Sequence, residues 1–120
     1  MVKNNSHRLA AELREIIAVQ RKITVQDEST GAFSEYWRTL FTCSAGVSYK
    51  SAAERYTERS DRPKASVTFT VRACEATKDV DVSDRVMFDG ALCNIISVDK
   101  SEARDGVIRF ETEYIGVNHE

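Results

Sequence analysis

The sequence predicts a mainly β protein: a small antiparallel β-barrel or sandwich of five to six strands, with an N-terminal helix and a long loop or short helix after the second strand. Three observations carry this. Apolar and polar residues alternate with period two through 41–48, 65–73 and 107–115, as half-buried strands require. The dipeptide Asp89-Gly90 lies between two apolar-rich runs, and Asp-Gly readily takes the positive φ of a tight hairpin turn. Turn residues recur at short intervals, which favours sequential strands in a sheet that closes and so hides its edges.

Taken in order, residues 6–20 place Leu9, Leu13, Ile16, Ile17 and Gln20 on one helical stripe, with Asn5 or Ser6 as the cap. A strand competes for the same stretch, because Ile17, Val19, Ile23 and Val25 alternate. The predicted division is a helical extension over 1–20 and one β-barrel domain over 21–120. Arg21 to Gln26 reads as a strand with Ile23 and Val25 inward, and Asp27 to Ser34 as a turn. Tyr36 and Trp37 precede a strand in which Phe41, Cys43, Ala45 and Val47 share one face. An excursion over 49–64 breaks the β pattern, and Ser51 with Glu54 has capping-box spacing for a short helix. Val67, Phe69 and Val71 then face inward. Residues 76–84 are polar and acidic. Arg85 to Phe88 and Ala91 to Val98 flank the Asp-Gly turn, and Ile108, Phe110 and Tyr114 share a face of the last strand. The predicted core is Ile23, Val25, Trp37, Phe41, Val67, Phe69, Val71, Ile96, Ile108 and Phe110.

The chain has 120 residues, one domain's worth, and its composition is that of a globular protein. No run of apolar residues is long enough to cross a membrane, and the N-terminal residues lack the apolar core of a signal peptide, so synthesis in a cytoplasm is expected. Cys43, Cys74 and Cys93 are odd in number and widely spaced, against a disulfide framework or a zinc site. They read as small buried hydrophobes, or as crosslinks between neighbouring subunits formed in an oxidising exterior.

Catalytic materials are sparse. His7 and His119 sit at the two ends, and there is no phosphate loop, zinc-protease motif or nucleophile elbow. The acidic pairs Asp79/Asp81 and Glu111/Glu113 lie in polar stretches and read as solvated faces. No metal or cofactor is expected. The net charge of −2 divides unevenly: residues 1–64 carry 11 basic against 8 acidic groups (+3), and residues 65–120 carry 6 against 11 (−5). A globally basic nucleic-acid binder is disfavoured, but Lys50, Arg55, Arg59 and Arg62 make the excursion locally basic.

The order of these segments resembles the phage head–tail joining family, the head-completion or "stopper" proteins of the virion neck. Arg21-Lys-Ile-Thr-Val-Gln26 is similar to the family's opening strand, and Trp37 to the Trp before its second strand. Ser48 to Arg59 is similar to its excursion, with the family's Gly replaced. Asp84-Arg-Val-Met-Phe-Asp-Gly-Ala-Leu-Cys-Asn-Ile-Ile-Ser-Val98 resembles its hairpin, with Arg85, Asp89 and Gly90 in place and Cys93 where a large apolar residue is usual. The extension over 1–20 has no counterpart in this resemblance.

The resemblance implies a structural, non-enzymatic virion protein made in the bacterial host. Its implied partners are further copies of itself in a ring (a dodecamer), a portal or adaptor ring above, tail terminator or tail tube proteins below, and non-specific packaged double-stranded DNA, with no membrane. The excursion with Lys50, Arg55, Arg59 and Arg62 is then the loop facing the DNA channel, able to touch phosphates without reading bases. The uneven charge would orient stacked rings, and an acidic channel wall would keep DNA from sticking. Two readings stand beside it: another neck ring, adaptor or tail terminator, and a small β-barrel that binds nucleic acid or peptide through Tyr36, Trp37, Phe41 and Arg38.

Overall fold

The computed structural model describes residues 13–50 and 66–117. The described residues form six strands: β1 (Glu15–Gln26), β2 (Phe33–Lys50), β3 (Ser66–Arg72), β4 (Arg85–Phe88), β5 (Ala91–Asp99) and β6 (Val107–Val117). A single helical turn, α1 (Glu75–Lys78), follows β3, and a 3-10 turn at Ala103–Asp105 precedes β6. Every pairing is antiparallel, and the order β1-β2-β3-β6-β5-β4 closes where β4 pairs back onto β1. The protein is therefore mainly β, as the alternation predicts.

The N-terminal helix is not borne out. Residues 15–20 are extended and belong to β1; residues 6–12 lie outside the described residues. Here the competing alternation wins. Ile17 and Val19 are fully buried while Ile16 stands exposed, a period of two rather than 3.6. Ile16, Ile17 and Val19 are β-branched, β2 pairs with the whole segment and β4 pairs with Ala18 to Gln20 on the other side. Where only one helical stripe was on offer, two ladders of backbone hydrogen bonds are gained.

β2 starts at Phe33, inside the stretch expected to be a turn, and runs for 18 residues. The connection to it is tight, closed by Asp27 N–H to Ala32 O and Gly31 N–H to Asp27 O, both 2.7 Å. The short helix expected after Ser51 lies outside the described residues. The β4–β5 turn has Asp89 at φ 52° and Gly90 at φ 81°, the two positive values that Asp-Gly accommodates.

The core is one cluster in which Phe69, Phe110, Ile17, Ile108, Val19, Val71 and Val86 are fully enclosed. Phe69 meets Phe88 edge to face, centroids 5.7 Å apart. Thr112 is buried among them because its hydroxyl donates to Val67 O at 2.7 Å. Of the predicted core, Val67, Phe69, Val71, Ile108 and Phe110 are buried, whereas Ile23, Trp37 and Phe41 are half-buried.

Two predicted core residues are corrected. Val25 is exposed because β1 has run beyond the barrel there and no third strand covers it. Ile96 is exposed and Ile95 buried. Alternation counted from buried Cys93 reaches Ile95, and a bulge then sets Ile96 outside the ladder, between the pairs Ile95↔Thr112 and Ser97↔Glu111. Tyr114, grouped with Ile108 and Phe110, is also partly exposed; Thr112 holds the inward position instead.

Strand directions distribute the connections. One end of the barrel carries the β1–β2 turn, the segment from Ala73 to Asp84 and the β5–β6 turn. The other carries the Asp89-Gly90 turn and the point where the chain leaves β2 for the excursion.

Candidate functional site

β1 and β2 pair from Glu15↔Ala45 to Gln26↔Phe33, but the barrel uses only part of that length. β4 reaches β1 only at Ala18, Val19 and Gln20, and β3 reaches β2 only from Gly46 onward. Past Arg21 and Arg38 the two strands pair with each other alone, so a two-stranded arm projects from the barrel. An isolated ribbon of this kind is marginal in water and has to be held at its root.

The root is a polar junction. Asp84 is fully buried, and Arg21 grips it with two parallel bonds, Nε to Oδ1 at 2.8 Å and Nη2 to Oδ2 at 2.9 Å. Asp84 Oδ2 also accepts the backbone N–H of Asp81 at 3.0 Å. Arg21 reaches further to Asp79, donating to its backbone oxygen at 3.1 Å and its carboxylate at 3.4 Å. The bonds to Asp84 raise the Arg21 pKa further above its already high ordinary value. A fork-to-fork pair fixes angle as well as distance. The first residue of the arm is thereby locked to the acidic segment that follows β3.

Beside it, Gln20 is buried and bridges two strands. Its Nε2 donates to Thr39 Oγ1 at 3.2 Å and its Oε1 accepts from Arg85 Nε at 2.8 Å. The Arg85 guanidinium lies 4.0 Å from the Trp37 ring centre and Lys22 Nζ lies at 5.6 Å, both in cation–π range. Lys22 also pairs with Glu35 at 3.6 Å across the arm. Trp37 is therefore occupied by cations of its own chain, which counts against its use as a base-stacking platform.

The segments singled out in the sequence thus meet. Arg21 from the first, Trp37 from the second and Asp84-Arg85 from the hairpin all sit at the arm's root. Asp89 and Gly90 do not; β4 carries them to the opposite end of the barrel. Lys50 closes β2, and the positions of Arg55, Arg59 and Arg62 lie outside the described residues. Gln20, Asp79 and Asp84 were not singled out as site residues, although the acid run 79–84 was a visible signal for a buried arginine partner.

The three cysteines are free. Cys93 is buried and Cys43 half-buried, and burial pushes the Cys43 thiol up to about 11. Cys74 is exposed, and hydrogen bonds from the backbone and side chain of Thr77 lower its pKa. Only Cys74 is both accessible and inclined to ionise. Among the described residues no group of His, Cys, Asp and Glu could hold a metal ion, and no helix is long and apolar enough to cross a membrane.

The described residues thus form a closed antiparallel barrel with a two-stranded arm pinned at its root. The sequence matches the phage head completion protein family over residues 8–112, and the chain belongs to that family. It therefore has a structural role at the phage head. The fold is similar to the solution structure of protein SF1141 from Shigella flexneri 2a, with TM-score 0.66, 20% identity, and 86% of this chain and 93% of that one covered. It is also similar to a chain in the virion of a native gene transfer agent particle, with TM-score 0.61, 18% identity, and 88% and 97% covered. No curated protein matches the sequence.

Proposed function

We propose that the chain forms a homo-oligomeric ring, a dodecamer, between the portal or its adaptor and the tail, closing the filled head and joining head to tail. The family match carries this reading, because it spans the barrel and the excursion together. In the ring, the excursion after β2 faces the channel. Lys50, Arg55, Arg59 and Arg62 meet the phosphates of the packaged double-stranded DNA without reading its sequence. Portal or adaptor contacts one face, and tail terminator or tail tube proteins the other.

The fold supports such a loop. Lys50 and Ser66 are paired neighbours, so the excursion leaves and rejoins the barrel at adjacent points. Rearranging it need not disturb any ladder that closes the barrel. Deleting residues 50–62 tests the reading. The variant is expected to fold, by circular dichroism, and to enter particles, while those particles lose their DNA. Full DNA retention by particles that contain the shortened chain would overturn the channel-loop assignment. Electron microscopy of intact particles tests the ring itself, and density anywhere other than between portal and tail would overturn it.

A further inference from the structure

The arm has a face that its own chain covers only at the root, where Arg21 bonds Asp84 and Asp79 and Ile23 is half-buried. Direct cross-strand partners share a face, so Arg21 with Arg38, Ile23 with Tyr36 and Val25 with Ser34 form one side. Lys22, Thr24 and Gln26 fall on the other side. Val25 and Tyr36 are 44% and 48% exposed, although their alternation with polar neighbours is that of a buried strand. Arg38 is exposed and makes no ion pair among the described residues, whereas Arg21 beside it is consumed by Asp84. The face is apolar and ends in one uncommitted cation.

A complement exists on the same molecule. In the strand order β1-β2-β3-β6-β5-β4, β1 lies three places from β6 and β2 three places from β5. The outer surface of β5–β6 thus lies across the barrel from the β1–β2 wall, and the arm runs on past the end of that wall. The β5–β6 surface carries Ile96, 47% exposed and set outside the ladder by the bulge, and next to it Ser97, which pairs with the exposed Glu111 and donates to its carboxylate at 3.2 Å. Two complementary patches so placed cannot meet within one chain. Between copies they make a head-to-tail contact, the kind that closes into rings.

We propose that the arm of each copy lies on the β5–β6 outer face of the next, with Ile23, Val25 and Tyr36 against Ile96 and Arg38 against Glu111. The occupant is a second copy of this chain, and the inference rests on the ring reading above. It also accounts for the rigid root: an arm that must land on a neighbour gains from being held at a fixed angle.

The test uses particles assembled from the full chain in a Cys74→Ser background, which removes the exposed native thiol. Val25→Cys with Ile96→Cys, treated with a short bis-maleimide, is expected to give a ladder of covalent dimers and higher multimers, and either single variant none. Many copies per particle with no ladder would overturn the pairing and leave the ring reading standing. A crosslink from Val25→Cys to a different virion protein would overturn it in the same way. Absence of the chain from particles, or one copy per particle, would overturn the ring reading and the pairing with it. As an independent arm, Arg38→Glu is expected to lower incorporation about tenfold, and Glu111→Arg in the same chain to restore it to within about twofold. Failure of that rescue, with the Arg38→Glu chain folded by circular dichroism, would also overturn the pairing.

Discussion

β1 and β2 are one hairpin with two different fates. In the barrel half, Ile17, Val19 and Ala45 are enclosed because β4 lies beside β1 and β3 beside β2. In the arm half, past a register shift between Val19 and Gln20, the same alternation continues through Ile23 and Val25, but the two strands pair with each other alone, and Val25 is exposed while Ile23 is half-buried. The difference lies in what stands next to each strand and not in the strand itself. Alternation in a sequence states that a face is to be covered; it does not state by which chain. Between the halves sits a band of polar groups, Gln20, Arg21, Trp37, Asp84 and Arg85, that carries the arm without covering it.

If the halves differ in this way, equal truncations should have unequal costs. Phe69→Ala in the barrel removes a fully buried ring and is expected to destabilise by about 3–5 kcal/mol. Phe33→Ala on the arm removes a ring that is 68% exposed and is expected to change stability by about 0.5 kcal/mol or less. Urea unfolding of the isolated chain measures both. A cost for Phe33→Ala near that for Phe69→Ala would erase the distinction and show that the arm is covered within its own chain.

The junction should fall between these. Arg21→Ala leaves the buried Asp84 carboxylate without its cation, and breaking such a pair costs about 3 kcal/mol, less here because Arg21 is 30% exposed. Arg21→Lys keeps the charge but cannot make both bonds, so a partial loss is expected. Amide exchange should also rise in residues 22–37 more than in β3, because the arm loses its anchor while the barrel stays closed. Uniform exchange across arm and barrel would show that the pair serves the whole fold instead.

Most of the barrel was legible in the sequence for a physical reason. Val67, Phe69, Val71, Ile108 and Phe110 lie on strands bounded by covered neighbours, where alternation and burial coincide. Asp89-Gly90 was legible because only a few residue pairs tolerate two successive positive φ values. What failed did so at boundaries and bulges. Residues 15–20 satisfy a helical stripe and a strand alternation at once, and the choice was made by β4, more than sixty residues away in the chain. Ile96 was misplaced because a bulge shifts the ladder, and Val25 because nothing local shows where the barrel stops. The Arg21–Asp84 pair joins two segments that each read as merely polar; its partners become visible only when β1 closes onto β4.

The cysteines extend the contrast between covered and open positions to chemical reactivity. Cys74 is exposed with a lowered pKa, and Cys43 and Cys93 have theirs raised by burial. Because the thiolate is the nucleophile, iodoacetamide at neutral pH should modify Cys74 first, by at least about tenfold in rate. Mass spectrometry of partially alkylated protein reads the order. Early modification of Cys43 would mean that the edge of the barrel between β2 and Ala73 opens readily.

The smallest expected effect concerns acid, and it separates arm from barrel once more. Asp27, Asp81 and Asp99 each accept the backbone N–H of the serine two residues on, at 2.9 Å in all three turns. Their pKa values are lowered below 3.8, chiefly by Ser29 N–H at Asp27, by the Ser83 hydroxyl at Asp81 and by the Ser101 hydroxyl at Asp99. A carboxylate with a depressed folded-state pKa adds stability above its unfolded value and loses it as pH falls through the folded one. Acid should therefore act below pH 3.8 and leave the neutral range flat, so far as these three groups are concerned. Asp81 and Asp99 sit in turns that tie barrel strands together, so their protonation should lower the urea midpoint. Asp27 closes only the arm's own turn, so its protonation should be local. NMR titration of the Ser29 amide is expected to follow Asp27 with a midpoint below 3.8, and Asp27→Asn should remove that titration without moving the acid dependence of the urea midpoint. If Asp27→Asn shifts the global midpoint as much as Asp99→Asn does, arm and barrel unfold as one unit, and the division drawn at Arg21 and Arg38 does not hold energetically.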